Sequence, residues 1–265
     1  MSRTVVISGA SSGIGLATAK KLSSLGYQVI GLSRQMPKEA ITFDYFLCDL
    51  ADETSIQKAA QNILDKYPTI DALINCAGMG ISGAIEYTTL REAKRIIDVN
   101  IIGSYLLSNA FIPTLRKTKG SRIINISSVA GELTVPFQTF YSMTKAAMNA
   151  YTEGLRMELK PFGVHVSAVL PGDTKTSFTA NRQKSPIEVD PIYQDRIKRS
   201  IERMENDEQH GHDPQKVTAV ILKILKRKNP PVFVTVGVKY KIFVFLKRFF
   251  PKRLLNWIMY IMYAK

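Results

Sequence analysis

The chain is expected to fold as one α/β domain, a doubly wound parallel sheet with helices on both faces. Two observations predict this: strand-like and helix-like patterns alternate along the 265 residues, and the first strand runs straight into a glycine-rich turn. Alternating segments of this kind bury their apolar surface by stacking helices on either side of a parallel sheet. With 45% hydrophobic residues the chain can fill one substantial core.

The first strand, Thr4-Val5-Val6-Ile7-Ser8, is a short apolar run. It leads into Gly9-Ala10-Ser11-Ser12-Gly13-Ile14-Gly15, and an amphipathic helix follows to about Leu25. In such a strand, turn and helix, Gly9 can take the turn conformation, Gly13 lets backbone approach a pyrophosphate, and Gly15 allows helix to pack closely on strand. Phosphates would then sit at the positive helix N-terminus. The spacing is GxxxGxG, which matches the GxGxxG pattern only in part, and a purely structural turn is the alternative. Further strands are read near 28–32, 43–48, 71–75, 121–126, 163–169 and 232–236, with helices in the intervals. A parallel sheet binds its ligand at the carboxyl ends of the strands, where the glycine turn, Asn75, Ser128 and Pro171 all fall.

Residues 177–213 read as a mobile substrate loop with a charged helix. Ile192, Ile197, Ile201 and Met204 would cover the cleft, while Glu202, Glu205, Asp207 and Glu208 would form a solvated face. His210-Gly211-His212-Asp213-Pro214 reads as a loop ending in an Asp cap and a Pro at a helix start, not as a metal site. No CxxC or HExxH pattern occurs, and no metal is expected. Cys48 and Cys76 read as reduced core thiols.

Tyr141 and Lys145 stand four residues apart on a helical stretch, with Ser127 and Ser128 upstream. That spacing puts phenol and ammonium on one helix face, and a cation about 4 Å from a phenolate is worth roughly 4 kcal/mol at an effective dielectric near 20. This equals about three pKa units and would bring the phenol toward neutrality. A serine hydroxyl nearby could hold a substrate oxygen while the phenol moves the proton. The two serines are adjacent on a strand end and point in opposite directions.

Taken together, Ser8-Gly9-Ala10-Ser11-Ser12-Gly13-Ile14-Gly15, Asn75-Cys76-Ala77-Gly78, Asn100, Ser128, Tyr141-xxx-Lys145 and Pro171-Gly172 resemble the short-chain dehydrogenase/reductase family. The resemblance spans residues 1 to about 236. It departs at Cys76, where the family often has Asn, and at Ser8, where Thr is usual. It implies a Rossmann-type cofactor domain over 1–237 and a helical extension over 238–265. It also selects Ser128, thirteen residues before the tyrosine, as the carbonyl-binding hydroxyl. Tyr141 is then the acid or base, with Lys145 and Asn100 in a proton relay. The implied cofactor contacts are Gly9, Ser11, Ser12, Gly13, Ile14 and Gly15 at the turn, Ser33 and Arg34 after the second strand, and Asp49 and Leu50 beside the adenine. Asn75, Ala77 and Gly78 would line the adenosine side, Tyr141 and Lys145 the nicotinamide ribose, and Pro171, Gly172, Thr174 and Thr176 the far end. Asp173 reads as a polar turn residue. A homo-oligomer, dimer or tetramer, is expected.

Cofactor choice follows from Val29-Ile30-Gly31-Leu32-Ser33-Arg34. An NAD enzyme usually ends this strand in a carboxylate that holds the ribose hydroxyls. Here Ser33 stands in that place with Arg34 after it, and a guanidinium–phosphate bond worth about 1.5–3 kcal/mol favours NADP(H). Ser12 occupies a position where some NADP-preferring relatives carry a second basic residue. The expected activity is an NADP(H)-dependent carbonyl reductase or alcohol dehydrogenase, with a lipophilic ketone or secondary alcohol as substrate. Alternatives are a reductase of 3-oxoacyl thioesters on an acidic carrier protein and, in another class, a non-catalytic NADPH-binding sensor or scaffold.

Charge is uneven. The net charge is +14, yet no Asp or Glu follows Asp213, and twelve Lys and Arg residues after it leave +2 on the first 213 residues. Ile242-Phe243-Val244-Phe245-Leu246 and 254–263 are apolar blocks bounded by basic residues, each shorter than the roughly 20 residues of a spanning helix. The segment 238–265 is read first as a lid or subunit contact and second as a surface lying on anionic membrane. Nucleic acid is not an expected partner, since charge alone points to it only weakly. No secretory signal precedes the first strand, so a cytoplasmic location, with membrane association on that side, is expected.

Overall fold

The computed structural model describes residues 3–184 and 191–265. The strands, in chain order, are β1 (Thr4–Ser8), β2 (Gln28–Ser33), β3 (Asp44–Leu47), β4 (Ala72–Asn75), β5 (Ile81–Ser82), β6 (Arg122–Ile126), β7 (His165–Leu170), β8 (Gln183–Lys184) and β9 (Phe233–Thr235). The helices are α1 (Gly13–Ser24), α2 (Glu53–Lys66), α3 (Leu90–Ile97), α4 (Gly103–Leu115), α5 (Thr139–Leu159), α6 (Pro191–Gln209), α7 (Pro214–Lys226), α8 (Val238–Leu246) and α9 (Lys252–Tyr263). Among the described residues the main sheet runs β3-β2-β1-β4-β6-β7-β9, and every neighbouring pair in it is parallel. The doubly wound α/β fold expected from the alternation is therefore present, with each of the seven expected strands in place. The two-residue strands β5 and β8, which pair with each other, have no periodicity to read in the sequence.

Strand geometry distributes the core. Val5 and Ile7 of β1 point to one face, where they pack with Ala19 and Leu22 of α1 and Val217, Ile221 and Ile224 of α7. Val6 points to the other, against Ile56 and Ile63 of α2, Leu107, Phe111 and Leu115 of α4, and Leu155 and Leu159 of α5. Each fully buried large side chain contributes about 1.5–3 kcal/mol relative to exposure. The stretch Leu90–Leu115 is long and apolar enough by composition to cross a membrane, with mean hydropathy 1.3. Here its apolar side is spent on the sheet: Leu107, Phe111 and Leu115 are completely buried.

The order in which strands are added to the sheet reverses between the parallel neighbours β1 and β4, where Ser8 sits opposite Asn75. In a sheet of this order the crevice outside those strand ends is the ligand site.

Candidate active site

The turn after β1 has the backbone its sequence anticipates. Gly9 adopts φ +70°, and a Cβ there would come within 2.7 Å of the Ala77 nitrogen. Gly13 also has positive φ, +53°, and a Cβ would stand 3.3 Å from the Thr176 Cβ, so the segment after β7 closes against the turn. A Cβ on Gly15 would run into the Gly9 carbonyl. The first bond of α1 is Leu16 N–H to Ser12 O at 3.1 Å, so the amides of Gly13, Ile14 and Gly15 precede it at the helix start. All three residues line the cleft. This cradle of small residues and outward amides at a positive helix end fits a pyrophosphate.

The cleft, about 1820 Å³, is large enough for a dinucleotide and a second molecule. Ser11, Ser12, Ser33, Arg34, Asp49, Leu50, Ala77, Gly78, Pro171, Gly172, Thr174 and Thr176 line it together with Ser128, Tyr141 and Lys145. Asn75 does not. Its amide turns into the protein and donates to Ser108 Oγ and Asn125 Oδ1, both at 2.9 Å. As the last residue of a strand buried on both sides, it projects toward helix and sheet instead of ligand.

Ser33 ends β2 with its hydroxyl 2.6 Å from the Tyr45 hydroxyl and donating to Gln35 O at 2.7 Å. Arg34 is exposed at the rim, and Lys38 lines the cleft nearby. Asp49 accepts from Ala51 N–H at 3.0 Å and meets Arg95 at 3.4 Å. Burial works to raise its pKa, but these two donors and the Arg34 charge hold it below its ordinary value.

The candidate reactive groups come from three elements. Tyr141 and Lys145 lie on α5 as expected, with the Lys145 ammonium 5.6 Å from the tyrosine ring centroid. Ser128 follows β6, accepting from Ala130 N–H at 3.0 Å, and lines the same cleft as the Tyr141 phenol. Ser127 faces the other way, donating to the Lys145 carbonyl at 3.0 Å and meeting Asn149 Oδ1 at 2.7 Å. The opposite orientation of the two serines is thus present, with Ser128 toward the phenol.

Asn100 does not line the cleft but lies behind it. It sits in a π turn, Asp98–Ile102, between α3 and α4. Its amide donates to Met79 O and Thr144 Oγ1, each at 3.0 Å, and accepts from Met79 N–H at 2.8 Å. A Cβ on Gly78 would be 3.4 Å from Asn100 Oδ1 and 3.6 Å from Lys145 Nζ, so the asparagine and the ammonium converge on one glycine.

The electrostatics correct one expectation. Burial pushes Tyr141 up to about 12; the Ser128 hydroxyl and Arg182 oppose this, and Glu208 and Asp173 add to it. Lys145 is buried, donates to Ile126 O at 2.8 Å, and is pushed down to about 8 by desolvation. The cation is held against a carbonyl instead of against the phenol oxygen, so without a ligand burial outweighs charge attraction and Tyr141 stays protonated.

Four residues around Tyr141 were given no role there by the sequence. Phe178 packs against the phenol ring at 5.4 Å between centroids, tilted by 52°, and the Arg182 guanidinium lies 5.7 Å from the Phe178 ring centroid. Arg182 forms a buried ion pair with Glu208 of α6, which was read as solvated. The signal was in the spacing: Ile197, Ile201, Met204 and Glu208 fall three or four apart, one inward helix face. Of the four residues expected to cover the cleft only Met204 lines it; Ile197 and Ile201 are buried in a small core cluster with Ala84, and Ile192 is exposed. Residues 185–190 of the expected substrate loop lie outside the described residues. Asp213 caps α7 by accepting from Gln215 N–H at 2.7 Å, with Pro214 following. Asp173 is more than a turn residue: it accepts from the Tyr240 hydroxyl of α8, and burial pushes its pKa up.

The segment 238–265 forms the remaining wall. Phe243, Leu246, Leu255, Ile258, Met259 and Met262 line the cleft, and Lys247 pairs with Glu132 at 2.7 Å. Arg196 of α6 donates to Ala264 O at 2.8 Å.

A doubly wound sheet with a glycine cradle at its switch point, and a serine and a tyrosine lining the same cleft, fits a nucleotide-dependent oxidoreductase of alcohol and ketone groups. Residues 3–186 match the short chain dehydrogenase family model. The chain is 37% identical over 262 residues to a 3-ketodihydrosphingosine reductase of Bacteroides thetaiotaomicron, covering 98% of this chain and 97% of that protein. It is 35% identical over 190 residues to a serine 3-dehydrogenase of Agrobacterium fabrum, covering 69% and 76%. A crystal structure of a short-chain dehydrogenase from Streptomyces avermitilis superposes with TM-score 0.81 at 30% identity, covering 92% of each chain. The protein belongs to the short-chain dehydrogenase/reductase family, whose members use nicotinamide cofactors.

Proposed function

We propose that the protein is an NADP(H)-dependent reductase of a long-chain 2-amino-3-ketone, working reversibly on the corresponding secondary alcohol. The observation that carries the substrate reading is the apolar wall of Phe243, Leu246, Leu255, Ile258, Met259 and Met262, which shares one cleft with Ser128 and Tyr141. An alkyl chain along that wall would bury roughly 0.8 kcal/mol per methylene. The two relatives named above support the amino group, because 3-ketodihydrosphingosine and serine each carry nitrogen on the carbon beside C3. Asp173 lines the cleft and raises the Tyr141 pKa, which puts a carboxylate within electrostatic reach of the reacting position; Glu208 lines it too, its charge balanced by Arg182. An ammonium next to the carbonyl would be favoured there.

In this reading the glycine cradle holds the pyrophosphate, Arg34 the 2′-phosphate, and Thr174, Thr176, Tyr141 and Lys145 the nicotinamide end. The bound nicotinamide supplies the hydride. Ser128 donates to the carbonyl oxygen, and Tyr141 delivers its proton as negative charge develops there. Lys145 stabilises the resulting phenolate, and Asn100 positions Met79 and Thr144 around it. Oxidation runs the same steps backward.

Turnover of 3-ketodihydrosphingosine, a steroid ketone and a 3-oxoacyl thioester, each with NADPH and NADH, tests this reading. The expected result is the highest kcat/KM for the long-chain amino ketone with NADPH. Faster reduction of the steroid or the thioester overturns the substrate class, and equal use of NADH overturns the cofactor.

A further inference from the structure

Both helices of the C-terminal segment are apolar on two faces, and one of these faces is turned to the cleft. The other repeats every three or four residues as Val238, Ile242, Phe245 and Phe249 along α8 and its continuation, then Trp257 and Ile261 on α9. These side chains are exposed, Val238 at 70%, Phe249 at 68% and Trp257 at 58%. A helix apolar all round is ordinarily covered all round, and a contiguous exposed apolar face marks an interaction surface.

Charge identifies what covers it. Lys241, Arg248, Lys252, Arg253 and Lys265 are exposed on the same segment, and no carboxylate occurs after Asp213. Lys247 turns inward to Glu132. A second copy docked face to face would bring two cationic segments together without an acid on either. An anionic bilayer accepts the apolar stripe and neutralises the basic residues in one contact. We propose that the outer face of α8 and α9 docks on an anionic lipid surface, making these helices a two-sided roof with membrane above and cleft below. A lipophilic ketone then reaches Tyr141 from the bilayer without crossing water; this second half rests on the substrate reading above, and the docking itself does not.

Trp257 is the one tryptophan of the chain and lies on the proposed contact, so its fluorescence reports docking directly. The intact protein is titrated with phosphatidylglycerol/phosphatidylcholine vesicles and with pure phosphatidylcholine vesicles, at low and high salt, following Trp257 emission and co-sedimentation. The expected result is a blue shift and co-sedimentation with the anionic vesicles at low salt, reversed by salt and weak on neutral lipid. Replacing Lys241, Arg248, Lys252 and Arg253 with Gln should weaken partitioning by roughly fivefold per charge, equivalent to about 1 kcal/mol each. Phe249→Ser should weaken it while turnover of a short soluble ketone persists. Unchanged emission on anionic vesicles at low salt overturns docking, whatever ketone the enzyme reduces. A Trp257 already blue-shifted without lipid, in a protein that sediments as a dimer, overturns it in favour of a second copy. Docking without turnover of long-chain amino ketones leaves the membrane face standing and removes the substrate reading.

Discussion

A phenol held at a pKa of about 12 keeps its proton throughout the physiological range, which suits an acid in carbonyl reduction. The group that titrates nearer neutrality is Lys145, brought to about 8 because burial disfavours its charged form. For a cation with a depressed pKa, charge is present below that value and lost as pH rises through it. The kcat/KM for reduction, which reports the free enzyme, is therefore expected to be level from pH 6 to 7.5 and to fall above about 8. Lys145→Arg should remove that inflection, and a wild-type profile still level at pH 9.5 would show that the ammonium charge is not needed. Tyr141→Phe should keep NADPH binding yet lose at least about 100-fold in turnover, measured by single-turnover kinetics. At the rim, Arg34→Ala should weaken NADPH roughly ten- to a hundredfold with little change for NADH, measured by fluorescence titration. Deeper in, Glu208→Gln leaves the fully buried Arg182 side chain without its counter-charge. Breaking a buried pair from one side costs about 3–5 kcal/mol, which thermal unfolding should record as a clear drop in Tm.

At the scale of elements, the cleft has a rigid half and an added half. The rigid half is the ends of β1, β4, β6 and β7 with the start of α5, whose side chains are fixed by ladders and core packing. The added half is α6, α8 and α9: Tyr240 ties α8 to Asp173 and Lys247 ties its end to Glu132, Glu208 ties α6 to Arg182, and Arg196 of α6 holds the end of α9 at the Ala264 carbonyl. Releasing two of these ties with Tyr240→Phe and Lys247→Met should loosen the roof without disturbing the cradle. The expected outcome is a KM that rises several-fold for long-chain ketones and little for short ones, with the NADPH affinity unchanged. Equal effects on both substrate lengths would mean that the roof does not hold the chain.

At the scale of the whole molecule, most of the frame was legible because it obeys short-range rules. Strands announce themselves by apolar β-branched runs, the cradle by Gly9, Gly13 and Gly15, and the reactive pair by helical spacing of Tyr141 and Lys145. The order of the motifs along the chain carries the family resemblance as well. Asn75 turns to the core and not to the cleft, because a strand-end residue can face either and register within the sheet decides which. The buried roles of Glu208 and Asp173 are not legible locally, because a carboxylate in a charged helix or a turn looks solvated until its partner, Arg182 or Tyr240, folds onto it from 26 or 67 residues away. The sequence by itself determined the parallel sheet, the glycine turn after the first strand, the shared helix face of Tyr141 and Lys145 and the cationic C-terminal segment, since each is written in neighbouring residues or a fixed period, while Ser128 was singled out by the family resemblance. Only the tertiary structure decided the high pKa of Tyr141, the buried Arg182–Glu208 pair beside it and the roofing of the cleft by α8 and α9. Burial and long-range contact set these, and neither is a property of any local stretch of chain.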